Sequence, residues 1–568
     1  MNQTIKIILV CFIAFLLVLA WWSSLTIGLS SDEYFHHING LNRYNFLFSL
    51  GEDKNFQFRN TQFYPGLYDT LSYTLGRIIM LISIKFYANN IDFVMHLINI
   101  IFSTLSLVGL YFFSKKIFNK DIGIIAVFLT LLNPFFFGHM GMNSKDIVIF
   151  FSLIWFCYYF YLYCTEEKKI IKNLLLASFF IGFGCGVRLT FLVVIFPVVV
   201  CGLVYLFIKF KSQYLYLTKR LLPHSLVAVA ITIFLVILCW PHMIVEIQNG
   251  NFVKFFSTIV KNTINWIDGP KIGMLNGEYY EVFNTPKSYF LSIVLYRIPF
   301  YFTLLIILSY VLIIGKNLLI KNEISDFNKK FLIINIIAFF PIFLALILSV
   351  NIYDNLRLFL FIIPFFSIIA AFSLNWMLTS FKNSFKIKTI LTMVVILFSL
   401  SFYRFITLTP YQYDYINYSS IKYSNAAYKW EHDYWGTSFK ELVKKIKKQY
   451  SKEQIRDLKI TNCSGDDTLL YYLSRQLGKK FIYRSNREKE ANHVVIINRT
   501  TLDIFNPVVW PKINKMVNKK GHMLVRDVEK VVRTPGIKTT CPQQYPGTDV
   551  VTVERNGIVL SALRKLDK

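Results

Sequence analysis

Apolar segments of membrane-spanning length recur along most of this chain, separated by shorter polar segments. A helix needs about 20 predominantly apolar residues to cross a bilayer. Segments that approach or meet this length lie at about residues 5–23, 94–114, 122–140, 146–164, 173–187, 190–209, 224–241, 289–314, 331–350, 356–377 and 388–406. The pattern predicts a polytopic α-helical membrane protein with about eleven transmembrane helices.

The pattern changes after residue 406. Amphipathic helical patterns, SFKELVKKIKKQY and DDTLLYYLSRQL, alternate there with strand-like runs such as HVVIINR and DVVTVERNGIVLSAL. This alternation is typical of a mixed α/β domain. We therefore divide the chain into a membrane domain at residues 1–406, with long loops at 24–90 and 241–288, and a C-terminal α/β domain at residues 407–568.

The loops between the predicted spans fall into two sets of different chemistry. One set is rich in lysine, as in KKIFNKD, TEEKKIIKN and FKNSFKIK, and should face the cytoplasm by the positive-inside rule. The other set carries acids, arginines and histidines among aromatic residues. Alternation along an odd number of spans places this second set, and the C-terminal domain with it, on the extracytoplasmic face.

Charge and cysteine content add two expectations. The 568-residue chain is 55% hydrophobic and carries a net charge of +28. Because many of its lysines and arginines lie in short loops, topology explains this charge and we expect no nucleic-acid partner. Six of the eight cysteines lie in or beside apolar segments, whereas Cys463 and Cys541 lie in the C-terminal domain and could form one disulfide outside the cytoplasm.

An acidic pair, Asp32 and Glu33, follows the first apolar segment directly. Carboxylates near lipid are costly and are usually kept there for function. One carboxylate could accept a proton from a hydroxyl nucleophile, and the second could raise the pKa of the first or hold the acceptor. The alternative is a water-facing helix cap, because Ser30, Ser31 and Asp32 are all good capping residues.

Further polar residues begin or end other predicted spans on the same face. Lys145 could meet a phosphate and Asp146 could orient it, although Asn143 and Asp146 also suit a helix N-terminus. Arginine binds phosphate bidentately, which makes Arg188 and Arg357 candidates. Arg297 is a weaker candidate, because its side chain could simply extend from a helix end to the membrane interface. Asp32 and His36 are four residues apart, so a divalent metal is an open alternative.

The order of these motifs resembles the family-39 membrane glycosyltransferases. The resemblance rests on the DE pair, NSKD, the arginine of GCGVRLT, YDNLRLFLFIIP, TPYQYDYIN and EHDYWGTSFKEL. It implies a GT-C fold in a bacterial inner membrane and inverting transfer of a sugar, mannose or another hexose or pentose, from a polyprenyl-phosphate carrier. The acceptor would be a hydroxyl on a glycan, lipid or protein.

The resemblance also implies roles for individual residues. Asp32 would be the catalytic base, with Glu33 beside it in contact with acceptor or donor. The donor site would comprise Asn143, Lys145, Asp146, Arg188, Tyr353, Asp354 and Arg357, and no metal ligand is implied. The DYWG segment, residues 433–436, has no predicted role beyond docking the C-terminal domain.

Two other functions stay open from the sequence. A transporter or flippase of lipid-linked glycans would also place arginines and acids along a path through the helices, but it should place ionisable groups at mid-membrane. A non-enzymatic membrane scaffold would tolerate Asp32→Asn. Charged candidates that gather on one face favour the enzyme.

Overall fold

The structure is a computed structural model that describes the chain except for residues 57–60, 212, 265–271, 277, 282–284, 320–325, 349–351, 353–354, 381–384, 418–429, 464–465, 484–488, 498–543 and 568. Helices dominate about the first seven-tenths of the chain. Their bounds are α1 Gln3–Thr26, α2 Ser31–Phe48, α3 Leu67–Ile82, α4 Ile84–Asn89, α5 Ile91–Ile117, α6 Lys120–Leu132, α7 Pro134–His139, α8 Asp146–Thr165, α9 Ile170–Val187, α10 Phe191–Lys209, α11 Tyr214–Leu238, α12 Pro241–Gln248, α13 Phe252–Ile264, α14 Tyr289–Arg297, α15 Phe300–Leu319, α16 Asp326–Leu348, α17 Ile363–Ser380 and α18 Phe385–Thr407. Short 3₁₀ turns lie at Thr61–Phe63, Arg357–Ile362 and Gln412–Asp414.

The predicted helical membrane architecture is confirmed. Within the described residues, nine helices are long and apolar enough to cross a membrane, and α14 with α15, bent by 115° at their junction, could make a tenth. The predicted span at 122–140 differs. It is divided into α6 and α7 at Asn133 and Pro134, and α6 has only 13 residues, about 20 Å of helix, which is too short to cross a bilayer alone.

The C-terminal region has the mixed α/β character that its pattern predicts. It contains α19 Phe439–Gln449, α20 Lys452–Asp457 and α21 Asp466–Leu477, with strands β3 Ile460–Asn462, β4 His493–Ile497, β5 Gly547–Arg555 and β6 Ile558–Leu566. These strands form one sheet in the order β3-β4-β6-β5, in which β3 and β4 are parallel and the other pairs antiparallel. A separate hairpin, β1 Ile272–Leu275 with β2 Glu278–Glu281, belongs to the long loop after α11.

The C-terminal region packs on one end of the helical bundle. Tyr472 of α21 accepts a hydrogen bond at 2.7 Å from the backbone N–H of Leu29, and its hydroxyl donates to Asp92 of α5 at 3.1 Å. Lys440 of α19 forms a 2.7 Å ion pair with the same Asp92. Charge pairing and backbone bonding together fix this region against the segment between α1 and α2.

Cysteine chemistry is divided as the sequence suggests. Cys463 is disulfide-bonded, whereas the cysteines of the apolar helices are free thiols: Cys11, Cys157, Cys164, Cys185, Cys201 and Cys239. Cys541, the predicted partner of Cys463, lies outside the described residues.

Candidate active site

Charged residues from three separate helix ends meet in one pocket of about 190 Å³ on the face where the C-terminal region packs. They come from the start of α2, the start of α8 and the residue after α9, and the segment that follows α18 adds an aromatic ring. The pocket is lined by Asp32, His36, Met142, Asn143, Ser144, Lys145, Asp146, Arg188 and Trp435. The structure therefore brings together residues that the sequence places up to several hundred positions apart.

Asp32 is the acidic group of this pocket. It lies in the first turn of α2, and its Oδ2 accepts a 2.9 Å hydrogen bond from Nη1 of Arg357. The Asp32 side chain is 42% exposed, while that of Arg357 is only 7% exposed. Burial by itself would raise the pKa of Asp32, but the charges of Arg357 and Lys145 outweigh it and hold that pKa well below its usual range. The carboxylate is therefore ionised and available as an acceptor.

Glu33 faces the interior, away from this pocket. Its side chain is fully buried, and its Oε2 accepts from the backbone N–H of Ser30 at 2.8 Å, completing a capping box at the start of α2. The same oxygen is 3.1 Å from Nε2 of His96, and Oε1 accepts from Asn99 at 3.4 Å. Glu33 thus fixes the position of the helix that carries Asp32.

The NSKD group supplies both hydrogen bonds at the start of α8 and a cationic surface. Asn143 Oδ1 accepts from the backbone N–H groups of Lys145 and Asp146 at 3.2 and 2.9 Å, so it satisfies two backbone donors there. Asp146 Oδ1 pairs with Nη1 of Arg188 at 2.8 Å. Arg188, which ends α9, is held by this ion pair at the edge of the pocket.

Lys145 projects among aromatic rings. Its Nζ lies 4.4 Å from the ring centre of Tyr64 and 5.8 Å from that of Phe35. Burial lowers the pKa of Lys145 to about 8, against the opposing effect of the Asp32 carboxylate. An ammonium held in this way is poorly hydrated and well suited to bind an anion.

The DYWG segment supports the pocket from the C-terminal side. The guanidinium of Arg357 lies 4.9 Å from the ring centre of Trp435. The carbonyl oxygens of Trp435 and Thr437 accept hydrogen bonds from the backbone N–H groups of Ser31 and Gly28, each at 3.1 Å. A Cβ at Gly28 would lie 2.4 Å from the Thr437 oxygen, so only glycine permits this approach.

A buried aspartate sets the shape of that segment. Asp433, at φ +44°, accepts from the backbone N–H groups of Thr437 and Ser438 at 2.8 and 3.0 Å and from the hydroxyls of Tyr413, Thr437 and Ser438. These bonds fold the chain back on itself at Gly436, whose φ is +68°. DYWG therefore orients Trp435 below Arg357.

Two further features near the pocket carry no sequence motif. Arg43 of α2 is buried and uses all five of its N–H donors, toward Asn39 Oδ1 and the carbonyls of Pro65, Cys239, Thr61 and Tyr64. It thereby fixes the segment that places the Tyr64 ring beside Lys145. Nothing in the local sequence marks Arg43, because its partners come from three separate segments.

The second is the pair His36 and Asp69. Nδ1 of His36 lies 3.0 Å from Oδ2 of Asp69, and Asn39 donates to the same oxygen. Burial would raise the pKa of Asp69, but His36 and these hydrogen bonds lower it, so the carboxyl is ionised. An i, i+4 relation between Asp32 and His36 was the only sequence signal for this arrangement.

Several candidates lie elsewhere. Arg297 is buried against the segment after α18, where it donates to the carbonyls of Asp414, Tyr415 and Glu431, so it is a structural residue. Tyr353 and Asp354 lie outside the described residues. In the part of the chain that the structure describes, no three His, Cys, Asp or Glu side chains come together to hold a metal ion.

Part of this chain matches the model of a known protein family. Residues 76–240 match the family model described as dolichyl-phosphate-mannose-protein mannosyltransferase. The matched region includes Lys145, Asp146 and Arg188 but not Asp32 or Arg357. This match confirms, for that region, the resemblance indicated by the order of the motifs. No curated protein matches the chain.

Two solved structures are similar to this chain. ArnT from Cupriavidus metallidurans bound to undecaprenyl phosphate is 12% identical, with a TM-score of 0.47 over 98% of this chain and 97% of that one. The archaeal oligosaccharyltransferase AglB from Archaeoglobus fulgidus, in complex with an inhibitory peptide and a dolichol-phosphate, is 12% identical, with a TM-score of 0.45 over 96% of this chain and 76% of that one.

Proposed function

We propose that this chain is an inverting glycosyltransferase that moves a sugar from a polyprenyl-phosphate carrier to a hydroxyl acceptor. One observation carries the proposal: an ionised carboxylate, Asp32, shares a pocket with Lys145 and Arg188 and pairs with Arg357. Cations at a membrane-helix boundary suit an anionic lipid phosphate, and the carboxylate suits a hydroxyl that must lose its proton.

In this mechanism the acceptor hydroxyl donates to Asp32 while its oxygen attacks the anomeric carbon of the sugar. The bond from that carbon to the phosphate oxygen breaks as the new glycosidic bond forms, and configuration inverts. Lys145, Arg188 and Arg357 neutralise the charge that grows on the departing phosphate. Asn143 and Asp146 hold Lys145 and Arg188 in place, and Glu33 holds the start of α2.

The proposal also assigns the pocket to one side of the membrane. The pocket and the C-terminal region share one face of the bundle, which we assign to the extracytoplasmic side of a bacterial inner membrane because the lysine-rich loops are at the other side. The family match supports a polyprenyl-linked donor. A transporter of lipid-linked glycans has less support, since the charged groups of this pocket cluster at helix ends rather than along a path.

The test is sugar transfer by the purified protein in phosphatidylethanolamine–phosphatidylglycerol vesicles. Radiolabelled polyprenyl-phosphate mannose is supplied with a methyl glycoside, a serine-containing peptide or lipid A as acceptor. Wild type should release polyprenyl phosphate, and Asp32→Asn should not. Glu52→Gln, which alters an exposed carboxylate just beyond α2, is the matched control and should behave as wild type. Equal turnover by wild type and Asp32→Asn would remove Asp32 from the mechanism.

A further inference from the structure

One buried nitrogen in the pocket has no role in the mechanism above. His36 is only 4% exposed, and among the described residues its Nε2 has no hydrogen-bond partner. A buried polar atom without a partner costs about 1–3 kcal/mol, so such atoms are usually retained for a purpose. The ring lines the same pocket as Asp32 and lies one helical turn further along α2.

The orientation of the His36 ring is fixed by Asp69. Because Nδ1 lies 3.0 Å from the ionised Asp69 carboxyl, the ring proton resides on Nδ1 and Nε2 carries the lone pair. Asp69 does not line the pocket of Asp32 but a neighbouring cavity of about 310 Å³ behind the ring. Because Nδ1 is engaged with Asp69, Nε2 is the ring nitrogen left for a partner in the pocket that His36 shares with Asp32.

A second acceptor beside Asp32 would keep its carboxylate charged when it takes the acceptor's proton. Its carboxylate is held in the ionised form by Arg357 and Lys145, so a protonated Asp32 is a strong acid in this setting. A proton on Asp32 would also weaken the pairing with Arg357 that organises the pocket. A second acceptor within the pocket would return Asp32 to its charged state.

We propose that His36, oriented by Asp69, is the second proton acceptor of this site and receives through Nε2 the proton that Asp32 takes from the acceptor hydroxyl. This inference rests on the proposed function. The acceptor O–H bond breaks toward Asp32 as the glycosidic bond forms and the phosphate leaves. The proton then passes to Nε2, which restores the carboxylate, and the imidazolium releases it to solvent. No oxidant or further reactant is needed.

The charges that surround His36 are balanced, so its protonation is not blocked by a one-sided field. Groups that share its pocket or contact it come from α2, α3, the start of α8 and the end of α9. They are the anions Asp32, Asp69 and Asp146 and the cations Lys145 and Arg188, and Asp32 is itself paired with Arg357.

The central variant for the test is His36→Asn. Asparagine keeps a donor at the position of Nδ1, toward Asp69, but removes Nε2, so the fold should persist. We expect kcat to fall on the order of 100-fold with little change in the KM for polyprenyl-phosphate mannose, because proton transfer is lost and donor binding is not. The pH dependence of kcat should change in the variant, because the group that takes the second proton is absent.

Two further variants separate a proton-transfer role from a structural one. Asp69→Asn should lower kcat because the ring loses its tautomer and orientation. His36→Ala should recover activity when imidazole is added, whereas Asp32→Asn should not. His37→Gln, which alters the neighbouring histidine outside the pocket of Asp32, is the matched control and should retain the wild-type pH profile.

Each outcome decides between the proposals. Full activity of His36→Asn, with Asp32→Asn inactive, would overturn the inference and leave the proposed function intact. Loss of wild-type activity on chelation with EDTA, restored by a divalent metal, would assign His36 to a metal site and also overturn it. No transfer by wild type with any acceptor would overturn the proposed function and this inference with it.

Discussion

Replacing Arg43 by lysine should destabilise the pocket without altering any residue that lines it. Arg43 donates five hydrogen bonds at distances of 2.6–2.8 Å, and lysine has only three N–H donors. At least two buried acceptors would therefore lose their partner. At about 1–3 kcal/mol for each, the loss is about 2–6 kcal/mol, concentrated in the segment at residues 61–66.

The functional result should follow from the position of Tyr64. Once the segment loosens, the ring no longer holds Lys145, so the KM for polyprenyl-phosphate mannose should rise more than kcat falls. Thermal unfolding of the detergent-solubilised protein and limited proteolysis near residue 62 measure the structural loss. Arg77→Lys is the control, because Arg77 is only partly buried and donates to the sulfur of Met80. A KM and a melting temperature both equal to wild type would refute this account of Arg43.

Three other predictions concern the rest of the pocket. Burial lowers the pKa of Lys145 to about 8, so its charge is lost as pH rises through that value. The KM of wild type for the donor should therefore rise about tenfold per pH unit above 8. Lys145→Arg should instead give a constant KM from about pH 7 to 9.5, because arginine stays charged over that range. Trp435→Leu removes the ring below the Arg357 guanidinium, a contact worth about 0.5–2 kcal/mol, so kcat/KM should fall about 2- to 30-fold. Asp433→Asn places an amide N–H group opposite the N–H and O–H donors that Asp433 now accepts from. Thermal unfolding should show a free energy of unfolding lower by about 3–6 kcal/mol. Asp457→Asn, at an exposed site, should leave it unchanged.

Each of these predictions has a clear contrary result. A KM that rises equally in wild type and Lys145→Arg would mean that another group titrates. A kcat/KM unchanged in Trp435→Leu would mean that Arg357 is oriented without the ring. Equal unfolding temperatures of Asp433→Asn and Asp457→Asn would mean that the DYWG turn does not depend on its aspartate.

The parts of the site that the sequence predicts are those that a helix end places by itself. Asp32, Lys145, Asp146 and Arg188 each lie where an apolar run begins or ends, so hydropathy predicts their position at the membrane boundary and the lysine bias of the loops predicts their face. Arg357 could be assigned to the same face for the same reason. Its partner could not, because the bond to Asp32 joins residues 325 positions apart.

Side-chain direction is what the sequence did not predict. Neighbours on a helix point about 100° apart, so Asp32 faces the pocket while Glu33 faces the interior, although the two are adjacent in the motif. His36, one turn from Asp32, shares its face. The roles of Asp69 and Arg43 were not predicted, because most of their partners lie on other segments of the chain.

The hydrogen bonds from Gly28 and Ser31 to the carbonyls of Thr437 and Trp435 set an order of events in synthesis. The start of α2 leaves the ribosome early, but the groups that anchor it are made some four hundred residues later. A chain that stops before residue 433 lacks these carbonyls and the ring below Arg357 as well. Catalytic competence should thus arise late, after the C-terminal region has emerged and docked, so a nascent or truncated protein would occupy the membrane without acting on lipid-linked sugar.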